Sequence, residues 1–83
     1  MKITYLAWLR DKTGCEQEEV TVPAGVSNVG QLIAWLAGRG PKYEQAFEFV
    51  EVIKVVVNGS LAQNDHPLDD DDEVTFIPPI GGG

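Results

Sequence analysis

The C-terminal stretch Asp72-Glu73-Val74-Thr75-Phe76-Ile77-Pro78-Pro79-Ile80-Gly81-Gly82-Gly83 sets the strongest limit on how this chain can fold. Val74, Thr75, Phe76 and Ile77 are β-branched or aromatic, the composition of a packed strand. Pro78 and Pro79 then withdraw two backbone donors, so ladder pairing ends there. Ile80 and three glycines follow, and glycines contribute no packing. Any core must therefore close by residue 78. We expect one domain over 1–78 and a flexible tail over 79–83, which reaches roughly 16 Å when extended.

Such a tail has two readings. It is a frayed terminus, common for glycine-rich ends, or a peptide that another protein threads through a narrow channel to act on its carboxyl group. Glycine suits the second use, because the acyl carbon has no branched neighbour and backbone can approach backbone closely.

At 83 residues with 43% hydrophobic content, the chain is long enough for one small core. No apolar run approaches the ~20 residues of a membrane span. The start runs straight into a strand pattern, so no signal peptide is expected. A single cysteine, Cys15, has no internal disulfide partner and fits a reducing, cytoplasmic setting. The net charge of −7 argues against nucleic acid and against anionic membranes, and favours a protein partner with a basic face.

Taken in order, Lys2–Leu9 reads as a strand, with Ile3, Tyr5, Ala7 and Leu9 on one face and Lys2, Thr4, Leu6 and Trp8 on the other. Leu6 and Trp8 make that second face partly apolar, which invites a covering helix or a partner. Residues 10–14 read as a polar turn and Glu16–Val22 as a second, antiparallel strand. Ser27 is the expected N-cap of a helix running to Arg39, whose Val29, Leu32, Ile33 and Leu36 form one stripe. Tyr43–Val50 is a short helix or a loop. Trp35, Tyr43, Phe47 and Phe49 read as core and rim packing. Ile53–Val57 predicts an inner strand, and Asn58-Gly59 predicts a tight turn into a short partner at Leu61–Gln63. Residues 65–68 form a turn, and the acids Asp69–Glu73 form a solvated one.

The order strand, strand, helix, strand, short strand, strand describes an α+β mixed sheet with one main helix across one face. The first and last strands can lie parallel at its centre. That is the ubiquitin-like β-grasp, one of a few layouts the pattern allows.

His66 is the only histidine and has no second ligand or base beside it. The acidic run lacks the spacing of a calcium loop, and no phosphate-binding or nucleophile-elbow motif occurs. No metal site and no bound cofactor are expected. The domain has no means of activating a substrate by itself, so chemistry involving it belongs on the tail.

Val57-Asn58, Asp65-His66-Pro67-Leu68 and the run from Asp72 to Gly83 together resemble the small, sulfur-carrying subunit of molybdopterin synthase. Ala7, Leu9-Arg10-Asp11 and Gly14 are similar to the start of that family. Two departures stand out: Asp71 where the family usually has a glycine, a place where Asp tolerates positive φ at a cost, and Gly81 where it often has Ala, Ser or Thr.

The resemblance implies that Gly83 is the reacting residue. A ubiquitin-activating-like enzyme would adenylate it with ATP, and a persulfide on a sulfur-donating protein would convert it to a thiocarboxylate. The tail would then enter the large subunit and give its sulfur to a pyranopterin precursor of the molybdenum cofactor. Gly81 and Gly82 would be spacers, with Ile80 beside them in the channel. Pro78 and Pro79 would stiffen the tail, and Leu6, Trp8 and Phe76 would touch the partner. Alternatives are a carrier for thiamine, cysteine or tungsten cofactor synthesis, a ubiquitin-like protein modifier, and a binding module with an inert tail.

Overall fold

The computed structural model describes residues 1–79, so the expectations placed on Ile80, Gly81, Gly82 and Gly83 lie outside the described residues. The chain forms β1 (Lys2–Tyr5), α1 (Trp8–Thr13), β2 (Gln17–Glu19), α2 (Val29–Ala37), α3 (Pro41–Ala46), a 3-10 turn (Val50–Val52), β3 (Lys54–Val57), β4 (Ser60–Ala62) and β5 (Glu73–Ile77). The five strands make one sheet in the order β2-β1-β5-β3-β4. β1 and β5 run parallel, pairing Ile3 with Val74 and Tyr5 with Phe76, and the other neighbours are antiparallel. This is the mixed sheet with a parallel central pair expected from the sequence, and β3 is an inner strand as its composition predicts.

Burial alternates along the strands, so one face of the sheet closes the core and the other meets solvent. Ile3, Tyr5, Val55, Val57, Val74 and Phe76 point inward, against the buried stripe Val29, Leu32, Ile33 and Leu36 of α2. At roughly 1.5–3 kcal/mol for each large side chain taken out of water, this one layer supplies most of the drive to fold. Across the open face the register aligns Thr4, Thr75, Val56 and Leu61 in one row.

The first strand is shorter than expected. It stops at Tyr5, and Trp8 and Leu9 belong to α1. The backbone reverses at Ala7, where φ is 51° and ψ −132°, and Leu9 N–H closes the turn on the Leu6 carbonyl at 3.1 Å. From there Leu9 and Thr13 face inward four residues apart, a helical spacing that the period-two reading of Ala7 and Leu9 concealed. Gly14, at φ 84°, caps the helix with its N–H on the Arg10 carbonyl, so residues 10–14 are a helix end and not a plain turn.

Ala7 holds a conformation that costs a residue with a Cβ about 1–3 kcal/mol. Ala7→Gly removes that strain and returns part of it as unfolded-chain entropy. We expect a net gain of about 1 kcal/mol, read as a melting temperature about 4–8 °C higher.

Two further boundaries shift. The cap of α2 is Asn28 and not Ser27: the Asn28 side chain accepts the Gln31 N–H at 2.8 Å, while the Gln31 side chain reaches back to Ser27. That resembles a capping box shifted by one residue, the Gln31 side chain accepting from the residue before the cap and not from the cap itself. Gly38 ends the helix ahead of Arg39. β2 spans only Gln17–Glu19 within the expected 16–22, although Val20 still bonds to the Met1 carbonyl. The segment left open between helix and loop is α3, begun by Pro41, followed by the 3-10 turn. The hairpin at Asn58 (φ 51°) and Gly59 (φ 87°) is the tight turn expected.

Candidate functional site

The site is the place where the chain leaves the sheet. β5 is the middle strand, paired on both edges up to Tyr5–Phe76 on one side and Lys54–Ile77 on the other. Pro78 is buried and Pro79 is exposed, and neither continues the ladder. The tail therefore starts from the most firmly held strand of the molecule, and its root has a fixed position.

Leu6 sits beside this root. Its N–H bonds to the Phe76 carbonyl at 3.2 Å, and its side chain is exposed. Trp8 is half-buried and packs against the core from α1. Phe76, named from the sequence as a partner contact, is fully buried. Its ring stacks on Tyr5 at 6.0 Å and meets Phe47 edge-on at 5.0 Å, so it offers no surface to a partner. As an alternate member of a strand packed under helices it points inward, and the outward neighbour is Ile77. Phe49, expected to pack, is instead 59% exposed. On the other flank Val52, Lys54, Ile77, Pro78 and Pro79 line a shallow groove of about 320 Å³.

Two polar clusters brace the frame. The Glu18 carboxylate accepts the hydroxyls of Tyr5 at 2.7 Å and Tyr43 at 3.1 Å, and pairs with the Arg39 guanidinium at 3.0 Å. Arg39 also lies over the Tyr43 ring at 4.8 Å. Burial pushes Glu18 up, but the hydrogen bonds from Tyr5 and Arg39 and the Arg39 charge outweigh it and hold the carboxyl below its ordinary value. Tyr5 and Tyr43 are pushed up, first by burial and then by Glu18.

These directions fix the pH dependence. In acid the unfolded chain binds the Glu18 proton more readily than the native one, so stability rises with pH. The contribution is complete above about pH 4.3 and is lost as pH falls through the lower native value. The tyrosines act at the other end, complete below about pH 10 and lost above it. Glu18→Gln is expected to cost about 1.5–3 kcal/mol at neutral pH, read by urea unfolding. The gap to wild type should close toward pH 3; a gap constant with pH would show that the charge is not the source.

The second cluster closes the acidic turn. Asp72 accepts the Asp69 N–H and the Asn58 side-chain amide, each at 2.8 Å, and Asn58 accepts the Glu73 N–H at 2.9 Å. The Asp69 N–H and the Asn58 amide hold Asp72 below its ordinary pKa. Asp71 does not adopt positive φ, so this turn needs no glycine there. Four acids of the run are exposed and Asp72 half-buried, a solvated turn that also ties β5 to the β3–β4 hairpin.

Among the described residues no group of His, Cys, Asp and Glu could hold a metal ion. His66 is exposed, and its backbone rather than its ring ties the preceding loop to α2. Cys15 is half-buried, and only its carbonyl is bonded, to the Thr13 hydroxyl. No helix of the described residues is long and apolar enough to cross a membrane.

Comparison with known proteins agrees with this frame. The ThiS family model matches residues 3–83. The chain is 34% identical to the molybdopterin synthase sulfur carrier subunit of Escherichia coli (strain K12), over 100% of this chain and 99% of that protein. Among solved structures, SAMP1 from Haloferax volcanii superposes with a TM-score of 0.78 at 26% identity, covering 100% and 98% of the two chains. A proposed molybdopterin converting factor subunit 1 from Pyrococcus furiosus gives 0.77 at 26%, covering 95% of each. The chain thus belongs to the ThiS family of ubiquitin-like β-grasp proteins, as a homologue of the molybdopterin synthase sulfur carrier subunit.

Proposed function

We propose that this protein is the sulfur-carrying small subunit of a molybdopterin synthase, and that it works through the carboxyl group of Gly83. The supporting observation is the end-to-end match to the Escherichia coli carrier subunit. It is joined to a fold that anchors the tail on its central strand.

A carboxylate is a poor acyl donor. An adenylating enzyme attaches AMP to it from ATP with release of pyrophosphate, which turns the acyl group into a mixed anhydride. A persulfide sulfur displaces AMP, and a thiol cleaves the resulting sulfur–sulfur bond to leave the thiocarboxylate. The tail then enters the large subunit, where its sulfur passes to the pyranopterin precursor. Gly81 and Gly82 let the tail pass a narrow channel, with Ile80 beside them in it. Pro78 and Pro79 reduce the entropy lost on insertion. In this reading Leu6 and Trp8 contact the partner. The small subunit carries sulfur, and the catalytic groups belong to the large one. All of this takes place in the cytoplasm.

The test is the intact mass after incubation with the adenylating enzyme, ATP and a sulfur source. Exchange of one oxygen for sulfur at the C-terminus is expected, and an unchanged mass would overturn the reading. The likeness to SAMP1, whose full name is small archaeal modifier protein 1, favours a second reading as a protein modifier. In that case products of higher mass, linked through Gly83 to lysines of other proteins, would form in the same assay.

A further inference from the structure

Lys54 stands at the root of the tail. It pairs in register with Ile77, the last strand residue before Pro78 and Pro79. It lines the 320 Å³ groove on the β5 side and also a second depression of about 370 Å³ toward β4, with Val55, Leu61 and Ala62. One cation therefore sits between two shallow grooves, the first largely apolar and the second mixed, with Gln63 and Asn64 in its lining. The apolar surface continues through Val52 and Phe49, which are 50% and 59% exposed.

The charge is unbalanced as well as central. Lys2 pairs with Glu73 and Arg39 with Glu18, while Lys54, like Arg10, Lys12 and Lys42, makes no ion pair among the described residues; of these four only Lys54 lines the grooves at the root of the tail. This holds in a chain with 13 acidic residues and a net charge of −7. Tight association would place a carboxylate opposite this ammonium, and a cation there would be repelled. The net negative charge brings a basic partner face into range, while Lys54 demands an acid at one point of that face.

We propose that Lys54 and the Val52–Pro79 groove are a partner-selecting contact for the large subunit, which sets an apolar side chain into the groove and a carboxylate against Lys54. This rests on the function proposed above and adds to it the chemistry by which the right acceptor of the tail is chosen.

The test uses the full chain and its cognate large subunit. Dissociation constants are measured by calorimetry at low and high salt for wild type, Lys54→Glu, Lys54→Gln and Val52→Asp. Lys42→Glu, on α3, changes the net charge as Lys54→Glu does but lies away from the grooves. Lys54→Glu should weaken binding about ten- to thirtyfold, and Lys54→Gln less, with a shallower salt dependence. Lys42→Glu should change it less than about threefold. Circular dichroism should show all variants folded, since Lys54 and Val52 are exposed.

Unchanged affinity of Lys54→Glu, or equal loss in Lys42→Glu, would overturn the proposal and leave the sulfur-carrier reading standing. So would a defect confined to adenylation, or a wild-type dimer that Val52→Asp dissolves, since the groove would then serve another occupant. Absence of any binding by wild type would sink the sulfur-carrier reading itself, and this contact with it.

Discussion

Removing Gly82 and Gly83 is expected to lower sulfur loading of the protein by at least about 10³-fold. The new carboxylate, on Gly81, lies about 7 Å short of the original along an extended chain. A misplacement of only about 1 Å can cost 10²-fold in a positioned reaction, so this loss is not recoverable by adjustment. The body of the protein should not register the change, because ladder pairing ends at Ile77 and the core closes at Pro78. The melting temperature should stay within about 2 °C of wild type. Mass spectrometry of the C-terminal peptide and thermal unfolding give the two readouts. Thiocarboxylate on the shortened chain at wild-type yield would show that the terminal glycine is not the loaded residue. An extension beyond Gly83 that is not trimmed should block loading to the same extent.

Phe76→Ala should do the opposite, damaging the body through a residue that the sequence alone puts at the partner surface. The ring is fully buried between Tyr5 and Phe47 on the central strand. Truncating such a phenylalanine costs about 3–5 kcal/mol through lost transfer energy and the cavity left behind. Small domains hold only about 5–15 kcal/mol in total, so the variant should be marginal, with a midpoint lowered by roughly 15–30 °C. Urea denaturation followed by tryptophan fluorescence measures it. A loss below about 1 kcal/mol would mean that the aromatic cluster is not load-sharing core. Phe76→Leu, which keeps most of the volume, should recover more than half.

The sequence made the sheet legible wherever pattern and punctuation agreed. Ile53–Val57 with Asn58-Gly59 has one sensible reading, and Val74–Ile77 before Pro78-Pro79 has another. The α2 stripe is equally plain, because four large apolar residues recur at helical spacing. What misled was local geometry decided by a single dihedral angle. Ala7 at positive φ breaks an alternation that otherwise runs on through Leu9, and no propensity scale places alanine there. The discriminating sign was Gly14, which caps a helix and not a turn. Phe76 was misplaced for a related reason: composition shows that a strand is packed, but only its pairing partners show which of its faces is inside. The Glu18 cluster had no signature at all, since its members lie on β1, β2 and α3 and in the turn before α3, and meet only in the folded protein.

The two-sided pairing of β5 bears on how the protein withstands being handled by its tail. A pull on that end acts along the strand and therefore across its ladder hydrogen bonds, which share the load instead of opening one after another. An enzyme that drew the peptide inward, as proposed above, would tug on an anchor loaded in shear and would not peel the sheet apart.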